Sequence, residues 1–262
     1  MSAVVSVRAA APAPTLALNG VHVRFGGVSA LNDVSLAIPP GPGISAIIGP
    51  NGAGKTTLFN VLTGIVPPTE GRVRIAGEDV TGRRPDEIFR ARVSRTFQGV
   101  RLFAHLSVLQ NVVLAARSVR HGGNWLRGAA EAEDRAKACL EAAGVDARLW
   151  SLWPDRLTLL EQRLVEIARA LTVAPLVMLL DEPAAGLNTA EKQRLCALLE
   201  KLAASADCRV VVVEHDMKLV MSIAERIWVM NFGRLLAEGT PEQIRADPAV
   251  IEAYLGAQAH HD

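Results

Sequence analysis

Apolar and polar residues alternate in two early segments of the chain, residues 21–25 and residues 32–38. Alternation with a period of two is typical of antiparallel strands that bury one face, so the two segments predict a strand pair. Two glycines separate the segments and would form the connection. The residues of the first segment that we expect on the buried face are Val21, Val23 and Phe25.

Short continuous apolar runs follow, and they alternate with helical periods. The runs cover residues 44–48, 176–180 and 210–213, and a glycine or an acidic residue directly follows each run. Such runs are typical of parallel strands that are buried on both faces. The helical periods cover residues 56–65, 131–143, 161–171 and 189–204, and a helix-start signature lies at residues 240–243. This alternation predicts a parallel sheet covered by crossover helices.

Composition and charge exclude several classes of protein. Half of the 262 residues are hydrophobic and 21% are charged, which supplies enough apolar material for a buried core. Because 28 basic residues nearly balance 27 acidic ones, we expect no nucleic-acid partner. The longest charge-free stretch, residues 34–54, is broken by prolines and glycines and is not expected to span a membrane.

The N-terminal residues and the cysteines indicate where the protein is located. Residues 1–14 lack an apolar block long enough for a secretory signal. Cys139, Cys196 and Cys208 are odd in number, far apart and not spaced with histidines as metal ligands are. We therefore expect reduced cysteines and a cytoplasmic protein.

The strongest motif follows the first apolar run. Residues 49–56 read Gly-Pro-Asn-Gly-Ala-Gly-Lys-Thr, which fits G-x-x-x-x-G-K-[ST] between a predicted strand and a predicted helix. Its glycines let successive backbone N–H groups turn toward a β-phosphate, and the helix adds its positive N-terminal end. Lys55 would reach the β- and γ-phosphates, and Thr56 would offer its hydroxyl to Mg²⁺. The motif predicts a P-loop.

Polar side chains also follow the other two apolar runs. Asp181 is suited to hold Mg²⁺ through its water shell, and Glu182 is suited to orient an attacking water. His215 comes just after the third run, where an imidazole could contact a γ-phosphate. Gln98 offers an amide to Mg²⁺ or to water where the sheet signals give way to helical ones.

These patterns predict an α/β fold with three parts. We expect a P-loop NTPase core with a parallel sheet, an N-terminal antiparallel β subdomain and an inserted helical subdomain. The predicted boundaries are a leader at 1–14, the core with its β subdomain at 15–97 and 157–256, the helical insertion at 98–156 and a tail at 257–262.

In order and spacing, the P-loop, Gln98, residues 176–182, residues 185–188 and residues 214–216 resemble an ABC transporter nucleotide-binding subunit. The resemblance covers about residues 16–256 and implies a Walker A loop, a Q-loop, a Walker B strand, a D-loop and a switch histidine. It implies catalytic roles for Glu182, His215 and Gln98, and Mg²⁺ binding by Thr56, Gln98 and, through water, Asp181. The nucleotide-binding residues that it implies, with Phe25 stacked on adenine, are Phe25, Gly49, Pro50, Asn51, Gly52, Ala53, Gly54, Lys55, Thr56 and Thr57.

Other segments narrow the resemblance. Residues 95–98, 101–103, 181–188, 215–221 and 239–244 look like the ATP-binding subunits of high-affinity branched-chain amino acid importers. This implies an ATPase that uses ATP and Mg²⁺, sits peripherally on the cytoplasmic face of the cell membrane and works with transmembrane permease subunits. A periplasmic or extracellular solute-binding protein would act indirectly. The alternatives are a urea or amide importer ATPase, a soluble ABC-type ATPase not linked to transport, and a nucleotide-gated module with little hydrolysis.

One segment departs from the family pattern. The signature, ideally Leu-Ser-Gly-Gly-Gln, falls on Leu157, Thr158, Leu159, Leu160 and Glu161. In the family this loop approaches the γ-phosphate bound by a second ATPase subunit, and the two leucines would add bulk where glycines permit close approach. Thr158 keeps a hydroxyl for that contact. The departure favours a heterodimer with a partner that supplies an intact signature.

The resemblance also places the permease contact at the helical insertion. We expect it around residues 98–103 and 150–156. Arg101, Leu102, Phe103, Trp150 and Trp153 would supply its apolar and cationic anchors. The alternative for the two tryptophans is that they fill the core of the insertion itself.

Overall fold

A computed structural model of the chain describes residues 14–118, 125–205 and 208–258. The strands are β1 (Leu16–Phe25), β2 (Val28–Ile38), β3 (Gly43–Ile48), β4 (Glu70–Ile75), β5 (Glu78–Asp79), β6 (Val93–Arg95), β7 (Val177–Asp181), β8 (Arg209–Val213), β9 (Arg226–Asn231) and β10 (Arg234–Gly239). The helices are α1 (Lys55–Leu62), α2 (Pro85–Arg90), α3 (Val108–Ser118), α4 (Trp125–Ala142), α5 (Leu159–Leu171), α6 (Thr189–Ser205), α7 (Met217–Ile223), α8 (Pro241–Ala246) and α9 (Pro248–Gln258).

The larger sheet has six strands in the order β10-β9-β3-β8-β7-β6. Its strands run parallel except for β10, which pairs antiparallel with β9 at one edge. Every residue of β3, β7 and β8 is buried, as the continuous apolar runs predict for strands covered on both faces. The predicted parallel sheet is therefore confirmed, and its strand ends bring loops from distant parts of the sequence to one edge.

The smaller sheet has four antiparallel strands in the order β2-β1-β4-β5. β1 begins at Leu16, earlier than the alternation indicates, because a register shift between Leu18 and Val21 breaks the period of two. The prediction for Phe25 was wrong: Val21 and Val23 are buried, but Phe25 is 53% exposed. Phe25 lies at the hairpin end, opposite Val28, beyond the part of the sheet that is covered.

The segment between β6 and β7 contains helices α3 to α5 and single turns of 3-10 helix at Ala147–Leu149 and Pro154–Arg156. Its described residues form no strand, as the sequence predicts for residues 98–156. The core of α3, α4 and α5 is continuous with the apolar face of the large sheet. The four helices predicted by periodicity are present, and Thr240 caps α8 through a capping box with Gln243.

The described residues include no helix that is long and apolar enough to cross a membrane. The three cysteines form no disulfide bond: Cys208 is buried, and Cys139 and Cys196 are half-buried. Burial raises the pKa of the Cys139 thiol to about 11, so this cysteine is protonated near neutral pH. Residues 1–13 of the predicted leader and residues 259–262 of the predicted tail lie outside the described residues.

Candidate functional site

The candidate site lies at the edge of the large sheet where β3, β7 and β8 end. In the register of these strands, Ile47 of β3 and Asp181 of β7 both pair with Val213 of β8. The loops that follow therefore leave the sheet side by side. The register brings the P-loop, the Asp181–Glu182 pair and His215 to one place, although they are far apart in sequence.

Two glycines of the P-loop occupy positions that no other residue fits. Gly49 has φ +151°, and a Cβ there would lie 2.2 Å from the carbonyl oxygen of Met230. Gly54 has φ +99°, and a Cβ there would lie 2.7 Å from the carbonyl oxygen of Ala30. Both contacts are far shorter than van der Waals distance. The loop is therefore wound against β9 and β2 in a way that requires glycine at both ends.

Lys55 is the first residue of α1 and is 8% exposed. Its Nζ donates hydrogen bonds to the carbonyl oxygens of Gly49 at 2.7 Å and Pro50 at 2.9 Å, so the ammonium group bridges its own loop. Burial lowers the pKa of Lys55, while the nearby carboxylates of Glu182 and Asp181 oppose that shift. The cation is held where a phosphate wrapped by the loop would meet it.

The rest of the loop leaves its polar groups accessible. Gly54, the residue before α1, supplies no side-chain hydrogen bond to the helix, so the first N–H groups of α1 remain available to an anion. Asn51 and Thr56 are exposed, and Thr57 is half-buried. The turn between β9 and β10 supports the loop from behind, because the amide of Gly233 donates to the carbonyl oxygen of Ala53.

Glu182 lies at the centre of the polar groups. Its Oε2 accepts a hydrogen bond of 3.0 Å from Nε2 of Gln98, and Nδ1 of His215 lies 3.8 Å from the same oxygen. Glu182 has φ +47°, in the left-handed region that a non-glycine residue rarely adopts, and its amide donates to the carbonyl oxygen of Val213. The three predicted catalytic residues therefore lie together.

Asp181 has a partner that the sequence analysis missed. Its Oδ2 accepts a hydrogen bond of 2.8 Å from Nη2 of Arg95, and both side chains are almost fully buried. The Arg95 guanidinium lies over the rings of Phe59 and Phe97, at 5.5 and 4.8 Å from their centroids. Arg95 ends β6, the strand next to β7. Because β6 has only three residues, too few for a period to appear, the sequence carried no signal that Arg95 lies beside Asp181.

Glu214, the residue before His215, links the loop after β8 to the loop after β7. Glu214 is buried, and its Oε1 accepts a hydrogen bond of 2.8 Å from the amide of Ala184 in the loop after Glu182. Burial raises the pKa of Glu214. His215 itself is exposed, with 63% of its side chain accessible. The loop after β8 is thus anchored by its buried neighbour while the imidazole faces outward.

The signature segment forms a closed turn at the start of α5. Thr158 and Glu161 make a reciprocal capping box: Glu161 Oε2 accepts from the Thr158 amide at 2.8 Å and from its hydroxyl at 3.0 Å. The Thr158 hydroxyl, expected to be available for a phosphate, is therefore engaged within the chain. The two leucines differ, because Leu160 is 2% exposed and packs in the core, whereas Leu159 is 37% exposed.

A groove of about 640 Å³ lies beside the Q-loop, between the large sheet and the inserted helices. Its lining includes Arg101, Phe103, Leu114 and Arg169, and the two apolar side chains are close to half exposed. Trp150 does not belong to it: this side chain packs against the core and donates to the carbonyl oxygen of Val145. Trp153 is exposed and lies edge-on to His105.

The donor set fits a nucleotide with its metal better than a metal alone. Among the described residues, no group of three His, Cys, Asp or Glu side chains is placed to hold a metal ion. A Mg²⁺ ion at this edge would need phosphate oxygens among its ligands, as is usual for Mg²⁺ bound with a nucleotide. The P-loop, whose two end glycines pack against the backbone of β9 and β2, is the matching phosphate cradle.

Comparison with known sequences agrees with this geometry. The ABC transporter family matches residues 31–185, and the family described as branched-chain amino acid ATP-binding cassette transporter matches residues 234–260. The chain is 43% identical over 252 residues to the high-affinity branched-chain amino acid transport ATP-binding protein LivG of Escherichia coli, covering 93% of this chain and 98% of LivG. It is equally identical over 257 residues to BraF of Pseudomonas aeruginosa, which has the same description and coverage.

Solved structures show the same fold. The crystal structure of a nucleotide-free ATP-binding cassette from an ABC transporter matches with a TM-score of 0.80 and 29% identity, covering 92% of this chain and 98% of that one. The dimeric cassette MJ0796, in a post-hydrolysis state bound to ADP and Pi, matches with a TM-score of 0.73 and 31% identity, covering 86% and 98%.

Proposed function

The chain belongs to the ABC transporter family of ATP-binding proteins, and on that premise we propose that it is the ATP-hydrolysing subunit of a membrane importer for branched-chain or related amino acids. The observation that carries the proposal is the convergence of Lys55, Gln98 and Glu182 on one sheet edge. The descriptions of LivG and BraF supply the class of solute. The chain would act at the cytoplasmic face of the membrane, with permease subunits as partners and a solute-binding protein acting indirectly.

The chemistry follows from the side chains at that edge. The P-loop amides and Lys55 would hold the phosphates of ATP and stabilise the charge that develops on the γ-phosphoryl group. Glu182, held by Gln98, would accept a hydrogen bond from water and orient it toward the γ-phosphorus. His215, 3.8 Å from the same carboxylate oxygen, would contact the γ-phosphate.

Thr56 and Gln98 would bind Mg²⁺ directly, and Asp181 would bind it through a water molecule. The ion would neutralise charge on the phosphates. Thr56 is exposed on the first turn of α1, and the Gln98 side chain is exposed beside Glu182. Asp181 is oriented by its buried bond to Arg95, which fixes the carboxylate at the end of β7.

The signature turn supports a heterodimer. In a head-to-tail dimer, each nucleotide would lie between the P-loop of one chain and the signature of the other. Here the signature hydroxyl is bonded to Glu161, whose carboxylate would face phosphate with like charge. A partner with glycines in its signature would complete the site at this chain's P-loop, leaving the opposite site slow.

The groove beside the Q-loop is the surface we propose for the permease. Phe103 and Leu114 offer exposed apolar surface, and Arg101 and Arg169 offer charge at its border. The groove adjoins the loop that carries Gln98, so an occupant would act on the catalytic edge directly. Crosslinks from the permease to Leu114 would support this surface, whereas crosslinks confined to the β1–β2 hairpin would contradict it.

A reconstituted transporter tests the function itself. The chain would be co-expressed with candidate permease and second ATPase chains, and uptake of radiolabelled leucine into proteoliposomes would be measured with and without ATP. The proposal predicts ATP-dependent uptake that excess leucine, isoleucine or valine competes away and urea does not. Uptake of urea or an amide instead would favour the alternative importer, and association with no membrane protein would contradict the proposal.

A further inference from the structure

The segment that carries Gln98 is attached to two different parts of the molecule. Before Gln98, the amide of Thr96 donates to the carbonyl oxygen of Leu179, which extends the pairing of β6 with β7. After Thr96, the backbone leaves the sheet and is held by side chains of α5. The change of attachment falls between Thr96 and Phe97.

The side chains that hold the segment lie three residues apart on α5, so they share one side of the helix. Arg163 donates from Nη1 to the carbonyl oxygen of Phe97 at 3.0 Å and from Nη2 to that of Gln98 at 2.6 Å. Glu166 accepts the amide of Arg101 at 2.8 Å. These bonds, with one from Arg169 to the Arg101 carbonyl oxygen, fasten residues 97–101 to the helix.

The Arg163 side chain is buried and points toward the Gln98 segment rather than into solvent. Its side chain is 6% exposed, and it pairs with Glu166 at 3.3 Å, so the two charges compensate each other in the interior. The guanidinium donates to the two carbonyl oxygens from two separate nitrogens, Nη1 and Nη2, an arrangement that the single nitrogen of a lysine cannot reproduce. The carbonyl oxygen it holds most closely belongs to Gln98 itself.

We propose that Arg163 is a positioning residue that holds the Gln98 backbone so that the Gln98 amide reaches Glu182. This inference deepens the proposed ATPase function and rests on it, because it assigns the Gln98 backbone to α5 rather than to the sheet. α5 begins with the signature turn at Thr158, so the bonds from Arg163 join the Gln98 backbone to the helix that carries this turn.

A double-mutant cycle in the assembled transporter tests the assignment. Arg163→Lys keeps the positive charge but loses the two-point contact, and it should lower kcat for ATP about tenfold, the equivalent of one charge-assisted hydrogen bond. The KM for ATP should stay within about twofold, because the P-loop is untouched. In a Gln98→Ala background the same substitution should cause no further loss, since both changes remove one interaction.

Arg135→Lys is the matched control. Arg135 also donates to a backbone carbonyl oxygen, that of Thr172 at 2.9 Å just after α5, but it does not touch the Q-loop. This control should leave kcat unchanged at a similar melting temperature. Wild-type kcat in Arg163→Lys, or a loss that persists in full beside Gln98→Ala, would overturn the proposal.

Hydrogen exchange in the wild-type chain is a second test of whether residues 97–101 are attached to α5. The Arg101 amide should exchange at the slow rate of the α5 amides, because Glu166 binds it to that helix. Exchange at the rate of an unbonded loop would overturn the inference even if the variants failed to fold. If the wild-type transporter hydrolyses no ATP, the proposed function fails, but this reading still decides the attachment.

Discussion

Two loops of this chain lead into helices at positions where phosphate would bind, and their hydrogen bonds differ. Before α1, Gly54 supplies no side-chain cap, so the first N–H groups of the helix can bind an anion. Among the described residues, Lys55 donates only to carbonyl oxygens of its own loop. Before α5, Thr158 and Glu161 satisfy each other. A helix N-terminus is therefore open to an anion only where side chains of the helix do not already bond its N–H groups.

The charges of the two loops also differ: only the P-loop carries a positive charge that would attract phosphate. The P-loop places a buried cation at its centre, whereas the signature turn places a carboxylate at its helix N-terminus. A carboxylate there stabilises the helix but repels an incoming phosphate. The chain therefore carries one half-site arranged for nucleotide and one arranged chiefly for its own helix.

The largest expected effect separates the two leucines of the signature turn. Leu160→Ala should lower the free energy of unfolding by about 2–5 kcal/mol, because it opens a cavity in the core shared by α5 and the large sheet. Leu159→Ala is the matched control and should cost clearly less, about 1 kcal/mol, because Leu159 is 37% exposed. Chemical denaturation measures both. Equal losses would show that the two leucines do not differ in burial.

Lys55→Ala tests the P-loop. It removes the cation of the P-loop and should weaken MgATP binding by about 1.5–3 kcal/mol, at least tenfold in affinity. Isothermal titration calorimetry on the full chain measures the change. Lys192→Ala, which removes a cation paired with Asp216 outside the loop, serves as the control. Unchanged affinity in Lys55→Ala would sink the assignment of the P-loop.

The smallest expected effect concerns the capping box. Thr158→Ala removes the cap of α5 and should lower the free energy of unfolding by about 1 kcal/mol. Glu161→Gln should cost less, because glutamine can also take this position in a capping box. Thermal unfolding of both variants measures the difference. A Thr158→Ala variant as stable as the wild type would mean that the turn is not closed as described.

The sequence predicted the parts whose chemistry is local. The glycine pattern identified the P-loop, and the continuous apolar runs identified β3, β7 and β8, because both signals depend on neighbouring residues alone. It did not identify β9, whose apolar run is also buried, nor the short strand β6. Three residues are too few for a period to appear.

Long-range partners were out of reach. The bond of Arg95 to Asp181 and the bonds of Arg163 to the Q-loop join residues more than sixty positions apart, and only the fold brings them together. Phe25 was misplaced because it lies at the hairpin end, opposite Val28, beyond the part of the sheet that is covered. The reciprocal bond of Thr158 with Glu161 was the exception, since its spacing of three is visible in the sequence.

We expect the P-loop and the signature turn of this chain to contribute unequally to ATP hydrolysis. The most direct test compares Glu182→Gln here with the equivalent substitution in the second ATPase chain, each in the reconstituted transporter, with steady-state ATPase activity as the readout. Glu182→Gln should remove most of the activity, whereas the change in the partner should remove much less. Equal losses from the two substitutions, or full activity from a homodimer of this chain alone, would contradict this expectation.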